Sequence, residues 1–212
     1  MYVPKGKLTP EARRLMLANI AKVHEHGERR EYAEAKVMAE KVRGGLAMAG
    51  ITSAHVLWLL AVTNDYLGEV EEAFRLITEA VTVDPMEPSI EKSFIIITDR
   101  IRRMLIDPDR DPADESTPRL HDMLVQAGKA DELVHVAMAR HLEAVGKPDE
   151  ALRLLDAVLL LSPACRDAWV VKAIVAKNVG REEEALAAEA EAMALDGAAP
   201  VPLFGIPGKA VA

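Results

Sequence analysis

The sequence predicts an all-helical fold made by stacking one helix hairpin about five times, and three observations predict it. Residues 134–163 can be laid over residues 168–197 at a shift of 34: Gly146 precedes Ala151 by five as Gly180 precedes Ala185, and Leu161 and Pro163 fall on Leu195 and Gly197. A third stretch fits the same template through Leu57, Leu60, Ala61, Gly68, Ala73, Ile77, Ala80, Val83 and Pro85. A fixed period of this size marks a stacked array of one supersecondary unit. The composition agrees: half of the 212 residues are hydrophobic but only 4% are aromatic, and Ala, Leu, Val and Glu dominate, a helix-forming mixture with enough apolar content to bury a core.

The elements follow in order. Thr9-Pro10-Glu11 reads as a helix start, with Thr as N-cap, Pro at the first helical position and an acid near the positive end. That helix should run to about His26, with Leu17, Ile20 and Val23 at helical spacing. A second is expected over about 31–43, with Tyr32, Ala35, Ala39 and Val42 inward. Gly44-Gly45 should end it or break its last turn, leaving 46–52 as a connector; the turn inside this first pair looks longer than the others. Helices are expected over about 53–67 and 70–83, the latter stopped by Asp84-Pro85. A long helix from about Glu87 to Ile106 carries Ile90, Phe94, Ile97, Ile101 and Leu105 on one stripe. Ile95 and Ile96 lie off that stripe, and extra apolar surface of that kind marks contacts, so these two are candidates for self-association as a homodimer.

Residues 107–117 are charged, carry two prolines and should be a loop. Thr117-Pro118 restarts a helix that ends near Gly128, and four more are expected over about 131–145, 148–161, 165–179 and 182–195. The helical repeat domain thus covers 1–196, with clear repeats at 54–87, 132–165 and 166–199 and degenerate pairs at 10–43 and 88–128. Residues 197–212 hold three prolines and three glycines and should form an extended tail. Leu203, Phe204 and Ile206 make this tail apolar, so it is read as a short ligand that caps the last repeat or docks elsewhere.

The net charge of −8 argues against nucleic acid as the main partner. The charge is uneven: residues 1–50 hold 10 Lys and Arg against 6 Asp and Glu, whereas residues 51–90 hold 1 against 7. Cys165 is the only cysteine, which excludes an intramolecular disulfide and a cysteine-based zinc site. The first residues lack the apolar run of a signal peptide, and no stretch reaches the roughly 18 apolar residues of a membrane span. The expectation is a cytoplasmic protein with no membrane partner.

The template resembles the tetratricopeptide repeat, W-x2-L-G-x2-Y…A-x3-F…P. Trp169 stands at its Trp site with Ala173 at the small site and Ala185 at the first Ala; Leu57, Leu60-Ala61 and Ala73-x3-Ile77 match in an earlier unit; Met138-Ala139, Ala151-x3-Leu155 and Pro163 match in the middle one. Asn64, Leu142 and Ala176 replace the Tyr, and Gly197 replaces one Pro. The resemblance implies a right-handed α-solenoid and a concave groove, lined by the first helix of each pair, that binds a peptide or helix of another protein. At matching positions the groove would take His55, Trp58, Val62 and Asp65; Ser89, Lys92, Ile96 and Asp99; Leu133, Val136, Arg140 and Glu143; and Asp167, Val170, Ile174 and Lys177. The competing reading buries several of these against neighbouring helices. Co-chaperones of this repeat type that hold a C-terminal carboxylate carry Lys and Asn, then Asn, then Lys and Arg on successive groove helices; at the corresponding sites this chain has Leu59 and, further on, apolar residues such as Val136 and Val170, which disfavours a partner held that way.

Enzymatic chemistry finds little support. His24 and His26 point in different directions on a helix, as do His135 and His141, so the four are read as solvated histidines and no metal is expected. Cys165 lies at a helix start, where a thiolate would be favoured, but no His follows to act as base. There is no phosphate loop or serine-nucleophile motif, and no cofactor is expected. Arg100, Arg102 and Arg103 cluster, yet few aromatics exist to stack bases. The leading expectation is a non-enzymatic adaptor or scaffold. A regulatory module resembling the helical-repeat parts of bacterial transcription activators, and a secretion-type chaperone, are the alternatives.

Overall fold

In the computed structural model, which describes residues 8–197, ten helices and no strand occur among the described residues. They are α1 (Pro10–Glu28), α2 (Tyr32–Met48), α3 (Ala54–Tyr66), α4 (Val70–Val83), α5 (Pro88–Leu105), α6 (Thr117–Gln126), α7 (Glu132–Ala144), α8 (Pro148–Leu161), α9 (Arg166–Asn178) and α10 (Glu182–Gly197). The fold is all-α, of helix hairpins. The chain divides into two compact units, Met1–Ile101 and Arg102–Ala212; the division falls within α5. The expected tail, with Leu203, Phe204 and Ile206, lies outside the described residues.

The hairpin turns are built alike. Gly68, Gly146 and Gly180 occupy equivalent template positions and adopt φ of 79°, 79° and 77°. This left-handed step, which glycine enters without a Cβ penalty, lets the next residue close the helix: Glu69, Lys147 and Arg181 donate backbone N–H groups to the carbonyls of Asn64, Leu142 and Ala176 at 2.9, 2.8 and 2.9 Å. The first hairpin uses the same turn, with Arg30 at φ 60° and Glu31 N–H on His26 O at 2.9 Å. Its turn is therefore no longer than the others, contrary to the sequence reading; a non-glycine residue disguised it. Gly44 and Gly45 also depart from expectation. α2 continues through them to Met48, because Leu46 is buried and holds the last turn to the core; packing outweighs the glycine cost.

In unit 1, α1 to α4 stack in sequence order, and α5 reaches α3 and α4 through Trp58–Ser93, Arg100–Asp65 and the Phe74–Phe94 ring contact. Ala35, Ala61, Ala73 and Ala80 are all within 1% of complete burial, which lets the helices approach closely around Leu60, Leu76 and Ile77. In unit 2 the core joins α7, α8, α9 and α10 around Ala139, Leu155, Val175 and Ala176. Asn64, Leu142 and Ala176, the replacements for the repeat tyrosine, are all buried.

The acidic loop between α5 and α6 is held down as well. Arg110 pairs with Asp114 at 3.1 Å and donates to the Ser116 hydroxyl at 2.6 Å, and the buried His141 of α7 donates Nδ1–H to Pro112 O at 2.8 Å. Reading His141 as a solvated histidine was thus wrong: the loop covers it.

Candidate protein-binding faces

Side-chain bonds link the first helices of successive hairpins. In unit 1 the Trp58 indole N–H donates to Ser93 Oγ at 2.8 Å, joining α3 to α5. Arg100 of α5 donates to the carbonyl oxygen of Asp65 at 2.8 Å, with its guanidinium 3.0 Å from Asp65 Oδ1. The proton points at the carbonyl rather than at Oδ1, which has no hydrogen-bond partner. Asp65 is thus buried with an ion pair but no aligned hydrogen bond, and burial pushes its carboxyl above the ordinary value despite Arg100. At the equivalent position of unit 2, Asn178 of α9 donates to Glu143 of α7 at 2.8 Å.

The groove positions therefore separate into three kinds. Asp65 and Glu143 serve as joints between hairpins. Val136 is 5% exposed and belongs to the unit 2 core. The others reach the surface: His55, Trp58, Val62 and Val170 are half-buried, while Lys92, Asp99, Arg140 and Lys177 are exposed, as are Ile96 at 44% and Ile174 at 52%. Unit 1 thus presents Trp58, Val62 and Ile96 on α3 and α5, and unit 2 presents Val170 and Ile174 on α9. Ile95, off the main stripe of α5, is 50% exposed.

Sequence reasoning missed two histidine contacts made between helices. His121 of α6 and His135 of α7 meet with Nε2 and Nδ1 3.0 Å apart, one ring donating to the other. Burial, then the neighbouring His121, lowers the His135 value. His24 of α1 lies 5.7 Å from the His55 ring and 6.5 Å from the Trp58 ring. Burial, then His24, lowers His55. Neither pair shows as a short spacing in the sequence. Among the described residues no group of three or more His, Cys, Asp or Glu is placed to hold a metal ion. Cys165 caps α9 without a side-chain cap bond, and burial raises its thiol value; the helix-start argument for a thiolate gives way to desolvation. No described helix is long and apolar enough to cross a membrane.

Beside these rings, a cleft of about 430 Å³ opens among His24, His55, Trp58, Asp84, Glu87 and their neighbours. In unit 2 a cleft of about 320 Å³ lies between α7 and α8, lined by His135, Leu154, Val158 and Leu161. Leu160 and Leu161 at the end of α8 are 84% and 86% exposed.

No protein-family model matches the chain, and no curated protein does. Among solved structures, the chain is similar to MamA of AMB-1, at 20% identity over 89% of this chain and 96% of that one, with a TM-score of 0.47. MamA of MSR-1 gives 20% identity, 87% and 98% coverage, and a TM-score of 0.43. MamA from Desulfovibrio magneticus RS-1 gives 11%, 87% and 96%, and 0.40. Likeness at this level carries no functional conclusion.

Proposed function

We propose that this protein is a non-enzymatic adaptor of tetratricopeptide-like hairpins that holds a peptide or helix of a partner protein against its first helices. The observation behind this reading is the row of apolar side chains that the hairpin joints leave at the surface: Trp58, Val62 and Ile96 in one unit, Val170 and Ile174 in the other. Their cores are complete without them, through Leu60, Leu76 and Ile77 in unit 1 and Leu155 and Val175 in unit 2. Apolar surface edged by charged Lys92, Asp99, Arg140 and Lys177 suits the central and rim parts of a protein interface.

Selection from a displayed random-peptide library tests the reading. Peptides enriched on the wild-type chain should lose binding to Val62→Asp or Ile174→Asp. Ile174 is exposed and Val62 is half-buried outside the buried core, so circular dichroism of both variants should match the parent. No enrichment, or enrichment indifferent to both substitutions, would sink the proposal. Self-association through Ile95 and Ile96 is a second proposed contact. Sedimentation across micromolar concentrations should show a dimer that Ile95→Glu/Ile96→Glu abolishes, and a monomer throughout in the parent rejects it.

A further inference from the structure

We propose that the cleft between His24, Trp58 and the start of α5 is a subsite for a Lys or Arg side chain of the bound peptide. This inference deepens the adaptor reading and rests on it.

Three features of the cleft converge on a cation. The first is charge. Asp84, at the end of α4, and Glu87, before α5, both line the cleft. Asp84 is half-buried and Glu87 exposed. Glu87 Oε1 accepts only a long bond from Ser89 N–H, at 3.4 Å, and neither acid has an ion-pair partner among the described residues. The surrounding stretch, 51–90, holds a single Arg against seven acids. That Arg, Arg75, is occupied by Glu72 and Glu79 on α4.

The second feature is a fixed aromatic wall. Trp58 lines the cleft while its indole N–H is committed to Ser93, which holds the ring in one orientation. The His55 ring lies 5.3 Å from it. An aromatic face beside carboxylates attracts ammonium and guanidinium groups through the ring quadrupole, and Arg also stacks its plane on such rings. The third feature is that burial, and then His24, disfavour a positive charge on His55, with Glu87 acting the other way.

Size and surroundings agree. A volume of about 430 Å³ is at the low end for ligand pockets and suits one long side chain rather than a folded element. Val83 at the cleft wall is 44% exposed and the adjacent Met86 85%. The peptide motif that fits is therefore a basic residue flanked by apolar ones. An acidic or carboxylate-terminated peptide meets like charge here.

The probe is the blocked peptide acetyl-Gly-Leu-Arg-Leu-Gly-amide, with its citrulline and glutamate counterparts. Binding is read from Trp58 fluorescence in a Trp169→Phe background. The arginine peptide should bind saturably, the citrulline peptide about tenfold more weakly, and the glutamate peptide not at all. Asp84→Asn/Glu87→Gln should weaken the arginine peptide about tenfold, and added salt should do the same in the parent only. Equal binding of arginine and citrulline peptides, no response to the double substitution, or no saturable binding overturns the proposal. The two readings fail separately: library peptides that depend on Val62 or Ile174 but ignore Asp84 and Glu87 leave the adaptor standing without this subsite. Arginine-peptide binding at the cleft with no library enrichment does the reverse.

Discussion

Gly146 and Gly44 should respond to the same substitution with opposite signs. Gly146 sits at φ 79° in the α7–α8 turn, and a Cβ built there meets nothing within 4 Å. Gly146→Ala therefore introduces no clash, and its cost is the left-handed backbone alone, about 1–2 kcal/mol. Alanine also narrows the unfolded ensemble, which returns about 0.4–1 kcal/mol. The net loss is about 1 kcal/mol. Gly44 lies inside α2, also in open space, and has no left-handed φ. Ala there should stabilise by about 0.5–1 kcal/mol, the ordinary helix-interior difference. At about 2–4 °C per kcal/mol for a chain of this size, the two variants should melt about 3–8 °C apart, on either side of the parent. Thermal unfolding followed by far-UV circular dichroism measures this. Gly146→Asn, whose side chain tolerates the left-handed region, should fall between Gly146→Ala and the parent. A Gly146→Ala protein that melts at or above the parent, or a Gly44→Ala protein below it, would refute the turn geometry on which the repeat register rests.

Three further outcomes are expected. Ala61→Leu and Ala173→Leu, at positions 0% and 4% exposed, should each overpack a helix contact and lose roughly 1–3 kcal/mol; unchanged melting in both would displace the register. His55 and His135 have folded values below the ordinary one of about 6.5. Their contribution is thus complete above that value and is lost as pH falls from it through the lower folded value. NMR titration should find both midpoints below 6.5, and a midpoint above it for either contradicts the geometry described. Arg100→Ala strands the buried Asp65 carboxylate and should cost about 1–3 kcal/mol, whereas Asp65→Asn, which removes the charge as well, should cost less than about 1 kcal/mol. The gap should close as pH falls through the raised Asp65 value, because the stranded acid is then neutral; denaturant titration at two pH values decides it.

The helices were legible because each carries its own signal. α8 begins and ends where Pro148 and the apolar run over 148–161 place it, and Thr9 caps α1 by accepting from Ala12 N–H at 3.2 Å. What the sequence hid was of two kinds. Arg30 fills a glycine role, so a composition cue was missing at a turn whose backbone is the same as its neighbours'. The histidine contacts join residues 31 and 14 apart, on helices whose rotation about their axes no spacing rule fixes. The site was half legible for the same reason. Template positions located the first helices correctly, but which groove side chain turns outward depends on the neighbouring hairpin: Trp58 and Val136 are equivalent in the template, yet one lines a cleft and the other is core.

The joints explain why the template tolerates so much substitution. Asp65–Arg100 and Glu143–Asn178 join equivalent positions of successive first helices, one as an ion pair between a buried carboxylate and a partly exposed guanidinium and the other as an exposed charge-to-amide bond. Their chemistry differs although the template positions they bridge correspond, so the joint does not require one particular residue pair. What the hairpins share is a left-handed residue in the turn and buried alanines at Ala61, Ala139 and Ala173. On the proposed adaptor reading, side chains on the first helices are then free to vary with the partner. The repeat period is consequently strong where individual motif residues are weak, and surface positions such as Val62, Arg140 and Ile174, equivalent in the template and different in chemistry, are where specificity for a partner would be written.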